Sequence, residues 1–85
     1  GRIGEEFDAV ISGVTERGMY VEEQTTHADG MIRMKDVGDD YFEYEEKNYR
    51  LVGRRTKKVF RLGDPIRVRL TAARLAEKEL DFVPA

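Results

Sequence analysis

The side chains able to do chemistry in this sequence are cations and flat rings. Arg50 to Arg69 carries eight bases (Arg50, Arg54, Arg55, Lys57, Lys58, Arg61, Arg67, Arg69) against one acid, Asp64. Clustered cations neutralise polyanions, and a planar guanidinium both pairs with phosphate and stacks on a base. Arg67 and Arg69 stand two apart, so on a strand they share one face. That pair can hold phosphates, and it equally suits a solvated outer face, the reading preferred here. The run Arg54-Arg55-Thr56-Lys57-Lys58 is a basic loop open to three roles: nucleic acid, packing against a partner, or none. Other chemistries lack their residues. Asp39, Asp40, Glu43, Glu45 and Glu46 form an acidic run without the alternating acids, glycine and closing glutamate of a calcium loop. His27 is the only histidine and there is no cysteine, which leaves zinc without ligands. Ser12 has no histidine candidate near it for nucleophilic catalysis, and no glycine-rich phosphate loop occurs. The expectation is no catalytic residue, no metal and no cofactor within this chain.

The 85 residues suffice for one domain. A chain this short buries only about 60% of its unfolded surface, and without cysteine no disulfide supplements the core. No stretch approaches the roughly 20 apolar residues of a membrane span. The start, Gly1-Arg2-Ile3-Gly4-Glu5-Glu6, has no apolar signal region. The expected setting is soluble, cytoplasmic and monomeric. The net charge of −2 weighs against nucleic acid, yet a near-neutral total can hide a basic face.

Periodicity supplies the elements. Glu6 to Thr15 alternates and is β-rich, with Gly13 marking a bend or bulge. Glu16-Arg17-Gly18 is a turn, Met19 to Glu23 the returning strand, Gln24 to Asp29 a polar loop, and Gly30 to Met34 a short third strand. Tyr41-Phe42-Glu43-Tyr44 and Tyr49-Arg50-Leu51-Val52 flank a polar stretch and predict an inserted hairpin, with a helix as the alternative because Glu45, Glu46 and Lys47 are good helix formers. Gly63-Asp64-Pro65 turns into Ile66 to Ala72, where apolar and basic residues alternate cleanly. Leu75 to Lys78 turns again, and Glu79 to Val83 is the last strand. The prediction is all-β: a five-stranded antiparallel OB-type barrel with a β-hairpin between strands three and four. Five strands also fit an SH3-like barrel.

With these elements in place, Phe7-x-x-Val10-Ile11-x-x-Val14-x-x-x-Gly18-Met19-Tyr20-Val21-Glu22 resembles the opening of an S1 domain. Gly30-Met31-Ile32-Arg33-Met34 occupies its Gly-Leu-Val-His-Ile segment, and Gly63-Asp64-x-Ile66-x-Val68 resembles its entry to the fourth strand. The resemblance covers essentially the whole chain. The run Asp40-Tyr41-Phe42-x-Tyr44-x-Glu46-Lys47-x-Tyr49-x-Leu51-x-Gly53-x-Arg55-Thr56-x-Lys58-Val59-Phe60-Arg61-Leu62-Gly63-Asp64 is similar to the insert of S1 domains in ribonuclease R-like exoribonucleases, as is the closing Glu79-Leu80-Asp81-Phe82. The resemblance implies a single-stranded RNA clamp at the C-terminal end of a 3′–5′ exoribonuclease. Catalysis and magnesium would belong to a separate domain of the parent chain.

It also implies where RNA sits, mainly on strands two and three. Tyr20 matches the second aromatic of the family's Phe-Gly-x-Phe pattern; the plainer reading is a half-buried strand tyrosine. Arg17 stands where the first aromatic usually is, Arg33 replaces the usual histidine, and Arg74 takes the place of a common aspartate. Each departure adds positive charge, which moves the expected mode from aromatic towards arginine stacking. The candidate RNA contacts are Tyr20, Arg33, Arg17, Met19, Lys35, Arg67, Arg69 and Arg74. Two rivals stand beside this reading. One is a protein-interaction barrel that docks on the parent enzyme or the ribosome, favoured by the acidic pI of 5.4. The other is a stand-alone S1 translation or stress factor.

Overall fold

A computed structural model describes residues 2–85 of the chain. The two longest alternating runs become the two longest strands, β1 (Glu6–Thr15) and β7 (Pro65–Arg74). Between them lie β2 (Gly18–Glu23), β3 (Asp29–Arg33), β4 (Phe42–Glu45), β5 (Arg50–Gly53) and β6 (Val59–Arg61), and β8 (Glu79–Pro84) ends the chain. Strands β1-β2-β3-β8-β7 form a closed barrel, with β7 pairing back onto β1. Closure removes the unpaired edges that an open sheet exposes. Alternation decides what fills it. Ala9 and Ile11 from β1, Met19 and Val21 from β2, Ile32, Val68, Leu70 and Phe82 are all buried in one core. Phe7 meets Phe82 edge-on with centroids 6.3 Å apart, a favoured aromatic geometry.

The all-β barrel is as the sequence predicts, with two differences. The barrel is not wholly antiparallel: β3 and β8 run parallel, in register at Met31 and Asp81. The third and last strands are thus neighbours in space, a long-range pairing that no local pattern encodes. The insert is also more than a hairpin. β4 and β5 form the expected hairpin, and β6 adds a third antiparallel strand. Three residues after a basic loop are too few to show periodicity. The helix formers at the hairpin tip take only a single 3₁₀ turn, Glu46–Asn48, closed by Tyr49 at φ 49°. Phe42, Leu51 and Phe60 of this sheet join the barrel's core.

Two glycines bear on the site. Gly18 has φ +136°, and a Cβ there would overlap the carbonyl oxygen of Ile32. Gly13 lies beneath the ring of Tyr20; a Cβ on it would sit 3.3 Å from Tyr20 Cδ2. The expected bulge is found here, as a register shift between Ile11 and Gly13.

Two carboxylates fasten loops. Asp40 accepts hydrogen bonds from the Thr56 hydroxyl (2.6 Å) and from the amides of Thr56 (2.8 Å), Arg55 (3.1 Å) and Tyr41 (2.7 Å). These donors hold it well below the usual aspartate range. Part of the acidic run is therefore a staple for the Arg54–Lys58 loop. Glu23 accepts from the Thr25 amide, then from the hydroxyl and amide of Thr26, and is held down to about 2 from the ordinary 4.5. Both groups bind protons more weakly folded than unfolded. Their stabilisation is thus complete above the unfolded pKa and is lost as pH falls through the folded one. Thermal unfolding followed across a pH series should give a flat Tm above about pH 5 and a steady fall between about pH 4.5 and pH 2. Asp40→Asn should remove part of that slope; an unchanged slope would show that Asp40 is not held in this way.

Candidate nucleic-acid interface

The register between β2 and β3 builds the site. Tyr20 lies opposite Met31, and Gly18 lies opposite Arg33. Side chains two apart on a strand share a face, so Tyr20, Met31 and Arg33 face outwards together while Met19, Val21 and Ile32 face in. Tyr20 is 46% exposed, with Gly13 leaving room beneath its ring. Arg17, on the β1–β2 turn, borders the same groove, whose walls are completed by Asp29, Gly30, Leu80, Glu79 and Lys78. Three cations and two acids line it, so the groove is basic on a chain that is acidic overall. Arg17 makes no ion pair among the described residues. A ring, two guanidinium planes and a shallow channel form a surface that takes a stacked base and its phosphates.

Arg33 and Arg74 converge on Asp81, a β8 aspartate whose side chain is only 11% exposed. Arg74 Nη2 lies 2.6 Å and Arg33 Nη2 3.8 Å from the same oxygen, Oδ2. The other oxygen, Oδ1, is buried and has no hydrogen-bond partner among the described residues. The sequence places Asp81 in the family-like closing segment without giving it a role. The available clue was an aspartate between Leu80 and Phe82, because acids are depleted from strands and a buried one needs a cation.

The remaining candidates lie elsewhere. Met19 is corrected from contact to core: it is 0% exposed, because on a strand the neighbours of an outward Tyr20 must point inwards. Lys35 is exposed in the 3₁₀ turn Met34–Asp36. It faces a separate cleft between barrel and insert, together with Glu16, Tyr41 and Glu43. Arg67 and Arg69 share the outer face of β7, as their spacing predicts, and each already holds carboxylates of β1. Arg67 pairs with Asp8 at 3.0 Å and Glu6 at 3.5 Å, and Arg69 pairs with Glu6 at 2.5 Å. The Asp8 carboxylate, ahead of Glu6, raises the Arg67 pKa above its ordinary value. In the basic loop, the Arg54 guanidinium stacks 4.7 Å from the Tyr41 ring centroid and pairs with Glu43 at 3.4 Å, while Arg55 donates to the Asp39 carbonyl at 2.6 Å.

Known proteins resemble this chain in sequence and in fold. Ribonuclease R of Aquifex aeolicus is 42% identical over 82 residues, which is 96% of this chain and 12% of that protein. Ribonuclease R of Thermotoga maritima is 37% identical over 81 residues, 95% of this chain and 11% of that protein. The chain thus spans about a tenth of the length of these curated relatives. Among solved structures, Mycoplasma genitalium ribonuclease R matches with a TM-score of 0.89 and 29% identity, over 98% of this chain and 13% of that one. This holds both for its apo form and for its complex with ribose-methylated single-stranded RNA. The family described as S1 RNA binding domain matches residues 2–83, and with the barrel and its groove built from those same residues, the chain belongs to the S1 RNA-binding domain family.

Proposed function

We propose that this chain binds single-stranded RNA in the groove of Tyr20, Arg17 and Arg33, and that it serves as the RNA clamp of a ribonuclease R-like 3′–5′ exoribonuclease. The observation that carries the reading is an exposed aromatic ring flanked by two arginines in one groove. Membership of the S1 family supports it, as does the likeness to a ribonuclease R solved with single-stranded RNA bound. Catalysis and its magnesium belong, on this reading, to another part of the parent protein, which works in the cytoplasm. The clamp raises the local concentration of substrate for that active site. It hydrolyses no RNA by itself, since two-metal phosphodiester chemistry needs closely placed ligands.

A groove this size contacts about two to four phosphates. At about −0.7 per contact, the log–log salt slope for single-stranded RNA should lie near −1.5 to −3. Duplex RNA should bind more weakly, because its bases are not splayed for stacking. Fluorescence titrations of a labelled oligouridylate and of a duplex at several salt concentrations test this. Absence of binding at low salt would favour the protein-interaction barrel instead.

A further inference from the structure

Resting on the reading of the groove as an RNA site, we propose that Arg74 is a positioning residue: by occupying Asp81, it keeps the Arg33 guanidinium available to an RNA phosphate. Arg74 does not line the groove, yet it shares the Asp81 Oδ2 atom with Arg33. A carboxylate this buried needs a cation, and two compete for it. Arg74 holds it at 2.6 Å, a charge-assisted hydrogen bond; Arg33 stands at 3.8 Å, too far for one. The triad therefore carries one net positive charge, and that charge sits on Arg33, at the groove wall.

Asp81 also holds unused capacity, since its Oδ1 is buried without a partner among the described residues. If the Arg74 guanidinium were removed, Asp81 would be left buried and unneutralised beside Arg33. A movement of about 1 Å would bring Arg33 into a charge-assisted bond with it. Parallel pairing of β3 and β8 places Asp81 in register with Met31, two residues from Arg33, so no strand need shift. The captured Arg33 would then be neutral towards RNA. Arg74 thus acts on RNA through Asp81 and without touching it.

The test is a set of oligouridylate titrations at several salt concentrations on the folded 85-residue chain. The proteins are wild type, Arg33→Ala, Arg74→Met (which keeps an apolar stem), Asp81→Asn, and the double variant Arg74→Met/Asp81→Asn. Arg74→Met should weaken binding about tenfold and flatten the slope by about 0.7, as Arg33→Ala does. The double variant should recover to within about threefold of wild type, because no acid remains to capture Arg33. Asp81→Asn alone should steepen the slope. If Arg74→Met binds like wild type while Arg33→Ala is weak, the positioning role is wrong and the groove stands. If the double variant stays as weak as Arg74→Met, Arg74 touches RNA itself and the proposal is overturned. If Arg33→Ala also binds like wild type, the RNA site itself is misplaced. Should the Asp81 variants fail to fold, arginine side-chain NMR on wild type decides. RNA should shift the Arg33 Nε–H resonance and leave that of Arg74 nearly still; equal shifts would overturn the proposal.

Discussion

Tyr20→Ala should weaken single-stranded RNA binding by about 1–3 kcal/mol while leaving the salt slope nearly unchanged. The ring is exposed on β2, opposite Met31, and lies over Gly13. Its removal deletes a stacking surface and no charge, so affinity falls without any change in the number of counterions released. Arg33→Ala removes a cation from the same groove, and there the slope should flatten by up to about 0.7. The two variants therefore differ in kind. Parallel titrations over a range of salt would show it, and a Tyr20→Ala protein that is folded and binds like wild type would remove the stacking role. Because Tyr20 points out of the barrel, the unfolding transition of this variant should stay close to that of wild type.

Gly18→Ala should cost about 2–6 kcal/mol of stability, as two effects add. A backbone at φ +136° is strained for any side chain, worth about 1–3 kcal/mol. The new Cβ would also overlap the Ile32 carbonyl oxygen and lie 2.9 Å from the Met34 amide nitrogen. These are backbone atoms that cannot rotate away, and overpacking of this kind costs about 1–3 kcal/mol more. A chain of this size has only about 4–13 kcal/mol in total. At about 4–8 °C per kcal/mol, thermal unfolding should show a drop of roughly 10 °C or more, or no cooperative transition. The β2–β3 pairing that sets Tyr20 and Arg33 on one face would be disturbed first, so RNA binding should fall as well. A Tm within about 2 °C of wild type would mean that the strands part more easily than this packing implies.

Period-two alternation made much of this protein legible. β1, β2, β7 and β8 lie close to where their runs placed them, and Gly18 and Gly63 both take the positive φ that a turn requires. The same rule, applied within Gly18-Met19-Tyr20-Val21, would have turned Met19 inwards once Tyr20 was assigned to the outer face. What stayed hidden was long-range. The parallel contact of β3 with β8 joins residues about 50 apart in sequence, and only that contact brings Asp81 beside Arg33. Likewise Asp40 reads as one acid in a solvated run until Thr56 folds back onto it, and Arg67 and Arg69 read as free cations until β1 brings Glu6 and Asp8 across from them. A linear charge count cannot separate a cation that is already paired from one still available to a ligand. The family resemblance supplied the location of the groove, which periodicity alone did not.

The most direct test of the RNA site is an NMR titration of the isotopically labelled chain with a short oligouridylate at low salt, following backbone amides, aromatic rings and arginine side chains. The largest shifts should fall on Arg17, Tyr20, Met31 and Arg33, with the Tyr20 ring protons moving upfield as a base stacks on them. Shifts confined to the Arg67–Arg69 face or to the Arg54–Lys58 loop, or no shifts at all, would contradict it.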